Sequence, residues 1–197
     1  KGLEARMHDP RSAHGYGLAY AISPRGACHE ASLTVEAEGG MIYIPEIPEL
    51  SADLPDGSDE RAQLNMVAQD YGMFFSNCAI FCNLGGMPLN ATQALNMVNY
   101  ATGFDYTLDE VMKIGRRVWY TKRGLTNLFG ARAKDDTLPK RLMTVMEDGP
   151  TEGSLPDMNK MLSEFYELRG FNENGIPAKN ILEDLDLPVL AELLSNV

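Results

Sequence analysis

Apolar residues recur at helical spacing through most of the chain, and that periodicity predicts an all-α, multihelical fold. The longest run is Leu64, Val67, Ala68, Tyr71, Phe74, Phe75, Cys78, Ala79 and Cys82. It predicts one long helix, opened by the acidic turn Ser58-Asp59-Glu60-Arg61 and closed by Gly85-Gly86 and Pro88. Cys78 and Cys82 then share a face, one turn apart, near the helix end. Asn90 caps a second amphipathic helix that ends at Gly103. Thr107, with Glu110 three residues later, has the capping-box spacing and opens a third helix running through Trp119 to about Phe129. A fourth spans Pro156 to Leu168, stopped by Gly170. The tail predicts two short helices split by Asp186-Leu187-Pro188. Strand-like patterning is confined to Leu33–Val35 and Met41–Ile44.

The N-terminal part is less regular. Ser12 to Ile22 is a small-residue segment that predicts a tightly packed helix. Each glycine in it costs about 1 kcal/mol of helix stability, which close backbone approach would offset. Pro24 and Gly26 break this helix and leave Arg25 and His29 on a loop or short helix start. Residues 39–57, rich in proline, form a long connection of the kind that is functional or boundary-forming. We therefore divide the chain into an irregular segment, 1–57, and a multihelical segment, 58–197. Lys1-Gly2-Leu3-Glu4 has no initiating methionine and no apolar signal region behind it. The expectation is the C-terminal piece of a longer protein.

A net charge of −11 disfavours nucleic acid as a partner, because phosphate binding needs clustered Lys and Arg. The acid-rich stretches read as solvated loops and helix faces. No run of eighteen apolar residues predicts a membrane span. Three cysteines form no disulfide framework, which points to a reducing, cytoplasmic setting.

Chemistry centres on the heptapeptide Asn77-Cys78-Ala79-Ile80-Phe81-Cys82-Asn83 and on Pro24-Arg25-Gly26-Ala27-Cys28-His29. Thiolates are the usual ligands of iron–sulfur clusters, normally four per cluster, and three cysteines cannot close such a site. Cys78 reads as a small buried hydrophobe on the helix face, and Cys82, at the helix end, as the better ligand. His29 could donate a hydrogen bond near a metal centre or shuttle a proton. His8 and His14, six apart across a proline, match no helix-borne metal pair, and no role is assigned to them. Arg116, Arg117, Arg123, Arg132 and Arg141, with Asp135 and Asp136, form a mixed-charge zone. It reads as structure and docking in preference to a phosphate clamp.

Taken in order, these segments resemble the C-terminal helical region of the tungsten-containing aldehyde ferredoxin oxidoreductases. The resemblance rests on Asp9-Pro10-Arg11, Gly17-Leu18-Ala19-Tyr20-Ala21, Arg25-Gly26-Ala27-Cys28-His29, the cysteine segment, Asn90-Ala91-Thr92, Ala101-Thr102-Gly103 and Gly115-Arg116-Arg117. Asn127-Leu128-Phe129, Asp135 to Arg141 and Tyr166 to Phe171 complete the series. Each is short, and their collinearity is the signal.

The resemblance implies a tungsten bis-pterin site beside a [4Fe–4S] cluster, with three thiolates supplied by upstream domains and one by this region. In that alignment Cys82 is the cluster ligand and Cys78 the competing register. Asn77 stands at an acidic position facing the pterin, and Ile80-Phe81 stand where Gly-Leu is common. His29 matches a histidine that positions or protonates the substrate oxygen. Ala31 replaces a lysine found in some members. The implied activity is oxidation of aldehydes to carboxylates, with electrons passed to ferredoxin or a partner subunit, possible oligomerisation, and an isolated fragment that is inactive. Two alternatives stay open: the catalytic subunit of a dearomatising aryl-CoA reductase of the benzoyl-CoA type, and a cofactor-free helical docking module.

Overall fold

A computed structural model describes residues 4–42, 44–50 and 60–197. The described residues are helical with isolated β-bridges at Met146–Glu152 and Phe171–Pro177 and no strand. Thr34–Glu38, part of the expected strand signal, is a short helix. Thr34, β-branched, is fully buried in it, and its strand preference yields because propensity is a weak prior beside tertiary contacts. Ser58 and Asp59 of the expected helix start lie outside the described residues.

The helices are α1 (His14–Ile22), α2 (Thr34–Glu38), α3 (Arg61–Gly72), α4 (Asn83–Gly86), α5 (Ala91–Thr102), α6 (Leu108–Leu128), α7 (Met158–Arg169), α8 (Lys179–Asp184) and α9 (Pro188–Leu194). Where the sequence predicts caps, they form. The Asn90 side chain accepts from the Gln93 amide, and Thr107 accepts from the Glu110 amide with Glu110 reaching back. Gly103 and Gly170 end α5 and α7 in the left-handed conformation that glycine favours.

The long helix predicted through Cys82 does not stay regular. α3 passes into a widened turn, Met73–Cys78, whose hydrogen bonds reach back five residues, as from the Ala79 amide to the Phe74 carbonyl at 2.9 Å. Widening lets three successive apolar side chains, Met73, Phe74 and Phe75, all be buried, which a 3.6-residue turn on one face does not allow. The helix is then interrupted, and Gly85 and Gly86 belong to the separate α4.

α3 is the hub of the fold, packing against α1, α2, α6 and α7. At the α3–α6 crossing Gly115 is required, because a methyl there would overlap the carbonyl oxygen of Asp70. Two apolar clusters lie on either side. One gathers Leu18, Ile22, Trp119, Phe165 and Leu182 from α1, α6, α7 and α8. The other gathers Ile44, Leu50, Leu64, Phe74, Val98 and Val111.

Between them run buried charges. Asp70 accepts from Arg169 Nη1 at 2.7 Å and from Arg116 Nε at 2.8 Å, and Asp70 and Arg169 are both fully buried. The Arg169 guanidinium stacks on the Trp119 ring at 4.3 Å. Arg123 forms a two-pronged pair with Asp136 at 2.8 and 2.6 Å and also donates to the Gly175 carbonyl. Arg123 and Asp136 are thus interior struts, the structural part of the role expected of the mixed-charge zone.

Candidate cofactor-binding face

Two irregular segments converge on one face: the loop Pro24–His29 that follows α1, and the widened turn with the Asn77–Asn83 segment after α3. α6 lies beneath both and contributes Lys122. The Lys122 ammonium donates to Asn77 Oδ1 at 2.6 Å and lies 3.5 Å from Met73 Sδ, while Asn77 Nδ2 donates to the Gly72 carbonyl at 3.3 Å. Burial, then the charge of Arg25, lowers the pKa of Lys122. Pro24, Arg25, Met73, Asn77, Lys122, Leu125, Thr126 and Phe129 line an open cleft of about 280 Å³. Its lining therefore carries one amide and two cations.

Arg25 also faces inward, donating to Cys28 Sγ at 3.0 Å from Nε and 2.6 Å from Nη2. Cys28 is buried. Its sulfur pins the loop to the arginine and does not face the neighbouring His29 as a catalytic partner would.

The widened turn ends at Cys78, and Cys82 precedes α4. Cys78 is exposed, not packed behind Cys82 as expected, because the helix opens before the two residues can share a buried face. Cys82 is exposed as well, and burial by its local neighbours still raises the Cys78 thiol pKa. Between them Ile80 adopts φ 59°, a left-handed backbone rare for a β-branched residue, with its side chain 76% exposed. Phe81 turns the other way and packs against Phe75 at 5.8 Å between ring centroids. Ile80 and Phe81 therefore do not act alike, and only Ile80 faces outward.

His29 lies nearby, largely buried. Its Nε2 is 3.1 Å from Glu30 Oε1, and its ring meets His8 edge-on at 4.8 Å. His8, given no role from sequence, stacks on Tyr16 at 5.3 Å. His14 binds Ser154 Oγ at 2.9 Å and tethers α1 to the loop before α7. Burial lowers the pKa of His29, with the charge of Glu30 opposing and those of His8 and Arg6 reinforcing that shift. His29 Nδ1 is buried and has no hydrogen-bond partner among the described residues.

The profile of the aldehyde ferredoxin oxidoreductases, domains 2 & 3, matches residues 1–187. The chain belongs to this family. It is 34% identical over 190 residues to the tungsten-containing aldehyde ferredoxin oxidoreductase of Pyrococcus furiosus, and equally so to that of Thermococcus kodakarensis. Each alignment covers 95% of this chain and 30% of the relative, so the chain spans about a third of the length of these enzymes. The aliphatic sulfonate oxidoreductase, WOR-like subunit, of Pyrococcus furiosus is 26% identical over 198 residues. The family and the multihelical C-terminal region therefore stand as the sequence predicts. Both of these 34%-identical relatives are named as tungsten-containing enzymes. No helix among the described residues is long and apolar enough to cross a membrane.

Sequence reasoning missed Lys122, 45 residues from the asparagine it binds, and His8 beside His29. Lys122 is one of five cations on the third predicted helix, next to Arg123, and nothing in the sequence singles it out. Nothing local marked His8.

Proposed function

We propose that this chain forms one wall of a cytoplasmic tungstopterin and [4Fe–4S] enzyme that oxidises aldehydes to carboxylates. Electrons pass to ferredoxin or a partner subunit. The observation that carries the reading is that the two motif segments are tied together: Arg25 lines one cleft with Asn77 and Lys122, and Glu30 links His29 to Asn83, the residue after the exposed Cys82.

The residues present suit these groups. Arg25 and Lys122 offer charge to an anionic pterin, and Asn77 offers a polar contact where a carboxylate is usual. The exposed Cys82 thiol is free to become a cluster ligand. Among the described residues no three His, Cys, Asp or Glu side chains converge to hold a metal, so the remaining cluster thiolates belong to upstream domains in this reading. The left-handed Ile80 suits the same register, since in that register it stands where glycine is common in the family pattern. Cys82 is therefore preferred to Cys78.

If bound here, the tungstopterin would supply a two-electron acceptor and the cluster a one-electron path. The chain's own residues orient and protect. The Asn77–Lys122 pair fixes the pterin-facing surface, Phe129 and Leu125 line an apolar rim, and His29 holds or moves a proton at Nδ1. The intact enzyme tests the reading. Stoichiometric tungsten and iron with aldehyde-dependent reduction of ferredoxin supports it. Turnover only with an aryl-CoA thioester favours the reductase alternative. Absence of both metals from anaerobically purified enzyme leaves the docking module.

A further inference from the structure

Glu30 joins the two motifs of the candidate face. Its Oε1 lies 3.1 Å from His29 Nε2, and its Oε2 accepts from Asn83 Nδ2 at 2.5 Å. Asn83 is itself oriented, because its Oδ1 accepts from the Ser76 hydroxyl, leaving the amide NH2 to face Glu30. The four side chains form one line, Ser76–Asn83–Glu30–His29, from the widened turn to the histidine. At its end His29 Nδ1 is buried without a partner. Glu30 is also the only one of the four that carries a fixed negative charge next to the ring.

A carboxylate accepts hydrogen bonds and does not donate them when ionised. A neutral imidazole whose Nε2 faces it carries its proton there and its lone pair on the other nitrogen. We propose that Glu30 is a positioning residue, which fixes the His29 tautomer so that Nδ1 is the proton acceptor. Asn83 in turn holds Glu30 in place. This rests on the reading of His29 as the acid/base group. In the step it serves, a water O–H bond breaks, the water oxygen bonds to the aldehyde carbon, and the carbonyl oxygen takes up the electron pair. The proton passes to Nδ1, and no electron leaves the assembly. Glu30 offsets the positive charge that the ring acquires. It also places the cysteine segment and the base under one constraint, so a shift of Asn83 would be felt at His29.

The test uses the full-length holoenzyme with Glu30→Ala, Glu30→Gln, Asn83→Ala and His29→Ala, with tungsten and iron measured in each. Besides kcat, carbethoxylation of His29 by diethyl pyrocarbonate is followed by peptide mass spectrometry across pH, since only the unprotonated ring reacts. Glu30→Ala should lower kcat about 10–100-fold with metals retained. It should also shift the onset of His29 modification to lower pH, as the charge supporting the imidazolium is gone. Glu30→Gln should share that pH shift, yet recover part of kcat because its amide oxygen still accepts from Nε2. Asn83→Ala should act in the same direction, more weakly. Unchanged kcat and an unchanged modification profile in Glu30→Ala would overturn the proposal. A fully active His29→Ala would instead overturn the acid/base assignment, while the modification profile still reports whether Glu30 governs the ring.

Discussion

Lys122 Nζ donates to Asn77 Oδ1 across 45 residues of sequence, at 2.6 Å, in the lining of the candidate cleft. The pair sets both the direction of the asparagine and the position of a cation whose charge burial disfavours. Lys122→Met should therefore weaken pterin retention by about 1.5–3 kcal/mol, roughly 10–150-fold, the scale of a lost hydrogen bond to a charged group. Tungsten per protein after dialysis measures it. Asn77→Asp should raise the Lys122 pKa by supplying an opposite charge and should retain tungsten at least as well as the native enzyme.

The helix ends were legible because their causes are local. Asn90, Thr107, Gly103 and Gly170 each act within four residues. The widened turn at Met73–Cys78 was not, because it answers the need to bury Met73, Phe74 and Phe75 together against α6. Arg169 and Asp70 stand 99 residues apart, and no spacing rule connects them. For the candidate face, the two motifs were legible as motifs. What joins them, Lys122 beneath Asn77 and Glu30 between Asn83 and His29, is tertiary.

Exposure of both thiols makes the ligand assignment testable by substitution, since neither change leaves a buried cavity. Cys82→Ser should remove cluster iron and electron transfer, whereas Cys78→Ser should retain iron near the native level. Iron analysis and the cluster's electron paramagnetic resonance signal read this out. Equal loss in both variants would sink the Cys82 register.

Ile80 stores strain. A non-glycine residue in the left-handed region costs about 1–3 kcal/mol, and its exposed side chain recovers little of that through burial. Glycine relieves the strain but adds about 0.5–1 kcal/mol of unfolded-state freedom. Ile80→Gly should thus stabilise by about 1 kcal/mol, raising Tm by roughly 2–4 °C. Ile80→Ala keeps the Cβ and should gain much less. Thermal unfolding of the pair separates strain from side-chain effects.

The Asp70–Arg169 pair is fully buried, and Arg116, Asp70's other partner, is 44% exposed. Arg169→Met leaves Asp70 with the weaker of its two cations in a desolvated site. Losing one partner of a buried pair costs about 3–5 kcal/mol. The urea midpoint should fall accordingly, while Arg117→Met, on the same helix as Arg116, should change it far less.

Glu36 supplies a stability change with pH of predictable sign. It is buried in α2, and its Oε2 has no hydrogen-bond partner among the described residues. Burial pushes its pKa above the ordinary 4.5, and the nearby charge of Glu30 adds to the shift. The folded protein thus holds this proton to higher pH than the unfolded chain does. Wherever the folded state binds more protons, stability falls as pH rises. The contribution is fully present below pH 4.5 and is lost as pH climbs from there through the raised folded value. Glu36→Gln has no proton to lose. An amide that finds no partner adds a constant offset, so the informative quantity is the slope of Tm against pH. The difference, Gln variant minus native, should rise from pH 4.5 upward and level off once the native carboxyl is ionised in both states. A difference that stays flat, or falls, from pH 4 to 8 would show that Glu36 is ionised at little cost where it sits.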